Sequence, residues 1–524
     1  MLRYIAAAGV NHLFGYPGDP TVELLESARK QGTTFVLARR EGTAGLMAQA
    51  YGQITGRPGV CVSTLGPGST NLVNAVASAY LDRVPMLAIS GQIDTQREPY
   101  FTHQVIDHNR LFAPVSKWTT TIGPATAGNI MRKALRTAVA ERPGPVHIST
   151  PADYVGAETR EEGIVLPPLG ASAFPCAFGG AADQILAKIS AARAPVILAG
   201  IGVTRSQASD ALKRFAESIG APVVVSPMAK GIIAEDDPIY AGTLDMACND
   251  FIWNFLRKAD LILNVGFDAV ELIKPWTLDI STIHIDTCPN TDQVYPAEHE
   301  IVGDIVAILE ELSRSCRRSA HMPDLSGHMA ALSTRCEEGR VKGQLNPTDV
   351  VKIVREAMPR DTVATTDVGS HKLLVGQCWT TYSPRSLLMT NGLSSMGYSL
   401  PAAITSKILN PHLPCVCFVG DGGLAMVQGE LQLASSLGLD PLVVVFCDNS
   451  LNRIELKQTA RQFPSFGTRI ESTDIAKLAS SMGCDGANVG SARELEQILA
   501  QPRSKDRPLV LGLRISPAQY AAQF

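Results

Sequence analysis

The strongest constraint on this chain is a glycine-rich turn held between two apolar runs. Val416-Cys417-Phe418-Val419 and the run from Leu442 to Cys447 read as buried strands, with a helix predicted from Ala425 to Leu437 between them. Gly420-Asp421-Gly422-Gly423 then falls in the strand-to-helix turn, where backbone N–H groups can approach an anion with no Cβ in the way. The second strand delivers Asp448-Asn449. Two oxygen ligands, Asp421 and Asn449, thus leave the carboxyl ends of successive strands, where an open α/β sheet binds its ligands. Oxygen ligands beside a phosphate-ready turn suit Mg²⁺, which takes few protein ligands and completes its shell with phosphate and water. A bare Gly-Asp-Gly occurs in many α/β proteins, and the downstream Asn makes cofactor binding the stronger reading.

The rest of the chain repeats the same alternation, which predicts an α/β protein of three doubly wound parallel-sheet domains. Short buried strands at Phe35–Leu37, Val60–Val62, Met86–Ile89 and Val146–Ile148 alternate with helical patterns in the first. Val196–Leu198, Val223–Val225, Leu261–Val265 and Thr282–Ile285 mark the second. Domain bounds of 1–165, 180–315 and 345–524 follow, joined by a Pro/Gly/Ala/Ser-rich passage from Leu166 to Gly180 and a polar stretch from Ser313 to Gln344. The two outer segments are of similar size, and each carries a glycine turn after a strand. With 524 residues, 45% hydrophobic and net charge −4, the chain offers no electrostatic case for nucleic acid. No apolar stretch is long enough to span a membrane, and no secretory signal is recognisable. The 11 cysteines are scattered without a Cys-x-x-Cys pair, so buried reduced thiols in a cytoplasmic protein are expected.

Two further turns carry weaker signals. Ala199-Gly200-Ile201-Gly202 is a fragment of a dinucleotide fingerprint, without the third glycine or a matching ribose-binding acid, and reads as a tight turn. Glu41 follows a strand and opens the helical stretch Gly42 to Tyr51, an ordinary place for an acid facing the helix dipole. What singles it out is the next strand, turn and helix, Thr64-Leu65-Gly66-Pro67-Gly68-Ser69-Thr70-Asn71.

Arg-Glu-Gly, Gly-Pro-Gly-Ser-Thr-Asn and the distant Gly-Asp-Gly with Asn closely resemble the thiamine-diphosphate (ThDP) enzymes of the acetolactate synthase group, in order and through nearly the whole chain. The resemblance implies Asp421, Asn449 and the Leu451 carbonyl as Mg²⁺ ligands, and Gly422 and Gly423 as the diphosphate turn. It implies Val368, Ser370 and His371 as further diphosphate contacts, Met396 as an apolar wedge between the cofactor rings, and the Ser394 and Met396 backbone as the aminopyrimidine cradle. Thr64, Pro67 and Asn71 match pyrimidine-side contacts, and Glu41 the acid that shares its proton with the pyrimidine ring. In this group Glu41 and the metal site come from different subunits, which implies a homodimer or a tetramer with active sites between subunits.

Gly91-Gln92, Phe101 to Asp107 and Phe112 to Lys117 resemble the FAD-free, catabolic type, with His103 and Gln104 as catalytic residues facing the substrate carbonyl. Val265 to Leu272 also resembles that type, so FAD is not expected. The implied reaction decarboxylates a 2-oxo acid, pyruvate in the leading reading, and joins the two-carbon unit to a second carbonyl acceptor. Another lyase, decarboxylase or acyltransferase (a 2-hydroxyacyl-CoA lyase or sulfoacetaldehyde acetyltransferase) and a flavin-linked pyruvate oxidase remain open, as does a catalytically silent scaffold, which the presence of Glu41, Met396, Asp421 and Asn449 together disfavours. Two departures bear on the acceptor. Asp19-Pro20 replaces a small pair bordering the reaction centre, and Gln458 stands where anabolic synthases have Trp.

Overall fold

The computed structural model describes residues 1–158, 163, 164, 166, 169, 182–316 and 321–523. Their eighteen strands form three six-stranded sheets, parallel throughout. The first sheet contains β1 (His12–Tyr16), β2 (Thr34–Leu37), β3 (Gly59–Ser63), β4 (Met86–Gln92), β5 (Trp118–Thr121) and β6 (Pro145–Pro151). The second contains β7 (Pro195–Ala199), β8 (Val223–Val225), β9 (Tyr240–Thr243), β10 (Leu261–Val265), β11 (Thr282–Asp286) and β12 (His299–Val302). The third contains β13 (Val363–Thr366), β14 (Leu387–Leu388), β15 (Cys415–Gly420), β16 (Leu442–Cys447), β17 (Asp485–Val489) and β18 (Leu509–Arg514). β3, β4, β6, β7 and β10 are buried along their whole length, as expected of central strands in a parallel sheet covered on both faces.

The outer sheets share one strand order. The first runs β2-β1-β3-β4-β6-β5 and the third β14-β13-β15-β16-β18-β17. Each reverses direction between its first and third strands, and such switch points open a crevice at the carboxyl ends of the strands. In the first sheet that crevice receives Asp19 after β1 and Thr64 after β3. In the third it receives Asp367 to His371 after β13 and Gly420 to Gly423 around the end of β15. The middle sheet, β12-β11-β10-β7-β8-β9, has the dinucleotide-fold order, with its own switch between β7 and β10.

Three expectations need correction. The helix after β15 starts at Asp421, runs to Val427, and is followed by a separate helix, Glu430–Ser436. Gly422 and Gly423 therefore lie in the first helical turn, whose N–H groups have no intrahelical acceptor, rather than in a loop before it. The polar stretch after Ser313 is not merely a connector: the helix Ser326–Cys336 lies within it, and His328 Nε2 pairs with the Ala241 carbonyl of β9 at 2.9 Å. Cys447, expected among the buried thiols, is half-buried, whereas Cys61 and Cys417 are fully buried. The passage from Leu166 to Gly180 lies largely outside the described residues. No helix among the described residues is long and apolar enough to cross a membrane.

Candidate active site

On the third sheet, the expected metal and diphosphate residues converge. Asp421 accepts the Gly422 N–H through Oδ1 and the Asn449 N–H through Oδ2, each at 2.8 Å. Asn449 holds the left-handed conformation (φ 54°), and its carbonyl accepts the Ile470 N–H at 2.9 Å. Leu451 precedes the helix Asn452–Ala460, and its carbonyl accepts the first-turn N–H of Ile454 at 2.8 Å. Burial raises the Asp421 carboxyl above its ordinary range, and burial followed by the Asp421 charge pushes Asp448 up to about 7. Two half-buried carboxylates at successive strand ends favour a cation between protein and phosphate. Among the described residues no cluster of three His, Cys, Asp or Glu forms a metal site. One carboxylate, one amide and one carbonyl is instead the sparse oxygen set that suits Mg²⁺ beside phosphate.

His371 supplies a second test of fit. Its ring is buried, stacks on Phe446 (centroids 5.2 Å apart, 17° between planes), and its Nε2 has no hydrogen-bond partner. Burial, then the neighbouring Lys372 charge, pushes it down to about 3, so it is neutral. An orphaned imidazole nitrogen beside Gly420, where a Cβ would stand 3.2 Å from the ring, fits a phosphate oxygen brought by a ligand. Ser370 Oγ donates to Asn452 Oδ1 at 2.7 Å, and the Val368 N–H donates to Asp367 at 2.7 Å. Ser394 holds φ 55°, and the half-buried Met396 puts its terminal methyl 3.8 Å from where a Cβ on Gly422 would stand.

The first sheet gathers the remaining candidates. Glu41 is buried at the start of the helix Glu41–Thr55, and Asn71 Nδ2 donates to its Oε2 at 3.2 Å. A Cβ on Gly68 would lie 3.0 Å from Glu41 Oε1 and 2.7 Å from Thr64 Cγ2, so only glycine lets this helix close on the acid. Gly66 (φ 54°) packs against the Gln104 backbone, and the exposed Pro67 opens the helix Pro67–Leu81. His103 is exposed, with no polar contact to the Glu41 group. Glu41, Thr64, Asn71 and Gln104 are thus brought together at one sheet end, and the diphosphate and metal candidates at another.

Sequence reasoning missed the buried charges that hold these parts. Asp82, Asp367 and Lys372 are all buried. Burial pushes both carboxyls up to about 6 and Lys372 down to about 8. Glu430 links the outer sheets by accepting the Arg39 N–H at 2.8 Å and the Thr43 hydroxyl at 2.5 Å. No periodicity marks such residues, because their partners lie in other elements, 18 to 30 positions away for Lys372 and the Asp367–Gly397 bond and more than 300 for Glu430 and the Asp82–Asn391 bond. In the middle sheet, the Gly200-Ile201-Gly202 turn is filled from within. The Glu271 carboxylate accepts the N–H groups of Ile201 and Asp268 at 3.0 Å and the Ser226 hydroxyl.

Comparison with known proteins identifies the class. Residues 1–111 match the N-terminal TPP binding domain of thiamine pyrophosphate enzymes, 182–312 the central domain and 367–513 the C-terminal TPP binding domain. The chain belongs to the ThDP-dependent enzymes of the acetolactate synthase type. It is 30% identical to a probable acetolactate synthase large subunit of Methanocaldococcus jannaschii, over 99% of this chain and 92% of that one. The catabolic acetolactate synthase of Raoultella terrigena is 29% identical over 98% and 94%. A probable 2-ketoarginine decarboxylase of Pseudomonas aeruginosa is 30% identical over 95% and 90%.

Proposed function

We propose that this protein is a Mg²⁺- and ThDP-dependent carboligase that decarboxylates pyruvate and transfers the two-carbon unit to a second carbonyl compound. The observation that carries the reading is Glu41, buried at a helix start, hydrogen-bonded by Asn71 and closed over by Gly68. A carboxyl held there can exchange a proton with a heterocycle laid against Thr64 and Asn71. Asp421, Asn449 and the Leu451 carbonyl would hold Mg²⁺, which neutralises the diphosphate so that it can be buried. Val368, Ser370, His371, Gly422 and Gly423 would surround the phosphates, and Ser394 and Met396 the pyrimidine. Bound ThDP supplies the electron sink that makes loss of CO₂ possible. Gln104, turned against Gly66, and His103 would orient the substrate carbonyl at the mouth. The functional unit is a cytoplasmic homodimer or tetramer, with Glu41 of one subunit facing the metal residues of another. Domains 1–165, 180–315 and 345–524 carry these roles. The FAD-free type is supported by Glu271, whose carboxylate holds the turn where a dinucleotide phosphate would otherwise sit.

A second reading, simple decarboxylation of a larger 2-oxo acid, is favoured by the exposed Asp19 carboxylate and by the similarity to a probable 2-ketoarginine decarboxylase. One experiment separates the two. Purified protein with ThDP, Mg²⁺ and a panel of 2-oxo acids is followed for CO₂ release and for products by mass spectrometry. Acetolactate-type products support ligation, aldehyde alone supports decarboxylation, and no CO₂ from any 2-oxo acid overturns both.

A further inference from the structure

The segment from Thr390 to Gly397, which carries Ser394 and Met396, contains no helix or strand. No backbone ladder therefore sets its shape. Buried charged groups grip it at both ends. At its start, Asp82 Oδ1 accepts the N–H groups of Asn391 at 3.0 Å and Gly392 at 2.6 Å. Lys372 Nζ donates to the Thr390 carbonyl at 2.7 Å and to Asn391 Oδ1 at 3.3 Å. At its end, Asp367 accepts the Gly397 N–H at 2.9 Å. Asp82 comes from the first sheet's half of the molecule, as the residue after the helix Pro67–Leu81. That helix also meets the segment in its middle, where Ser395 Oγ donates to Asn74 Oδ1 at 3.0 Å. Backbone contact is close: a Cβ on Gly392 would stand 2.7 Å from the Leu81 carbonyl oxygen. The other Asp82 oxygen accepts from Gln49 Nε2 at 2.8 Å, so the carboxylate itself cannot swing away.

We propose that Asp82 is a positioning residue, which sets the register of the Ser394–Met396 segment from across the boundary between the first and third sheets. The inference rests on the reading of Ser394 and Met396 as the cofactor cradle. Two charge-assisted hydrogen bonds to adjacent amides define where the segment starts, and Asp367 defines where it ends. The four residues between are shaped by the left-handed Ser394, its Oγ bond to the Asn391 carbonyl at 2.8 Å and the single Ser395 contact with Asn74. Releasing the first anchor leaves the segment whole but misplaced. Misplacement by about 1 Å can cost on the order of 10²-fold in rate.

The test compares Asp82→Ala, Asp82→Asn and Gly392→Ala with wild type, in the full chain. Asp82→Asn keeps an oxygen for the two amides, and its amide can donate to Gln49 Oε1, which has no partner in the native protein. Gly392→Ala pushes the same segment off Leu81, and its amide off Asp82, while leaving the Asp82 side chain itself unchanged. Expected for Asp82→Ala and Gly392→Ala are faster hydrogen exchange of the 388–398 peptide in protein without cofactor, weaker ThDP binding by calorimetry, and kcat about 10²-fold lower with KM for the 2-oxo acid little changed. Asp82→Asn should restore exchange protection and most of kcat. Native exchange, ThDP affinity and kcat in Gly392→Ala, and in Asp82→Ala where it folds, overturn the proposal. Met396→Ala serves as the reference: if it too leaves ThDP affinity and kcat native, the cradle reading has failed. If it alone lowers them, only the role of Asp82 has.

Discussion

Asp421 Oδ2 accepts the backbone N–H of Asn449 at 2.8 Å, tying the end of β15 to the end of β16. The proposed metal ligands are thus organised by one another before any ion arrives. Asp421→Ala removes a charged ligand and that tie together. Mg²⁺-dependent ThDP binding is expected to fall by orders of magnitude in this variant. ThDP affinity measured by calorimetry with and without Mg²⁺ checks it, and an unchanged affinity would remove Asp421 from the metal site.

Glu41 is expected to act in activation rather than in binding. Glu41→Gln preserves shape and the contact with Asn71 but has no carboxyl proton to share. Cofactor should still bind, while exchange of the thiazolium C2–H slows roughly 10²–10⁴-fold, the range of a general acid–base role. NMR exchange at the wild-type rate in the cofactor-loaded variant would speak decisively against the assignment.

Met396 is half-buried, so its truncation should cost less stability than a core deletion. Fully buried Met→Ala changes cost about 2–5 kcal/mol. Met396→Ala is therefore expected to lose under about 2 kcal/mol by denaturant titration. Turnover should drop much further than that loss explains, because the side chain would no longer separate the cofactor rings. Equal turnover per folded, loaded site would make Met396 a packing residue only.

His108 offers a pH test behind the Glu41 group. Its Nε2 contacts Ser69 Oγ at 3.1 Å and its Nδ1 contacts Ser149 Oγ at 3.3 Å, and burial pushes the imidazole down to about 4. The unfolded imidazole titrates near 6.5. Between those values the unfolded chain holds a proton that the folded one does not, so native stability falls as pH drops through that window and is fully present above it. At about 1.4 kcal/mol per unit, the whole window is worth roughly 3 kcal/mol. Wild type and His108→Gln, compared by thermal unfolding from pH 7.5 to 5, should draw together as pH falls. Parallel curves would mean that His108 does not titrate on unfolding.

Much of this architecture is legible in the order of residues. Leu261–Val265, Val223–Val225 and Leu442–Cys447 are strands over the expected residues, because an apolar run buried on both faces has no other use for its side chains. β17 (Asp485–Val489) lies at a sheet edge with its first four residues exposed or half-buried, so no such run marks it. β14 is only two residues long. The helix expected from Ala425 begins at Asp421 because tertiary packing overrides the low helix propensity of Gly422 and Gly423. Gly423 sits so close to Asp367 that a Cβ would stand 2.7 Å from its carboxylate. The glycines and acids of the candidate site were readable because each follows a strand. Asp82 was not, since an acid after a helix looks solvated until Asn391 and Gly392, more than 300 positions on, are seen to cover it.

Asp19 carries the last prediction. It starts a short 3₁₀ turn after β1, exposed, and no hydrogen bond or ion pair among the described residues engages its carboxylate. Its neighbour Gly18 is pressed against Thr64, where a Cβ would stand 2.2 Å from Oγ1, and Thr64 in turn meets Gly68 beside Glu41. The charge therefore stands a few residues' contact from the proposed reaction centre, unneutralised. At about 5 Å and an effective dielectric near 20, it would repel an anionic acceptor by roughly 3 kcal/mol, about a hundredfold in affinity. A neutral aldehyde escapes that cost. Gln458, folded back on Phe466 (Nε2 to the Phe466 carbonyl, 2.9 Å), adds no positive charge to offset it. Asp19→Gly is expected to raise acetolactate formation relative to aldehyde ligation when pyruvate and an aldehyde compete. A product ratio unmoved by the substitution would show that Asp19 does not choose the acceptor.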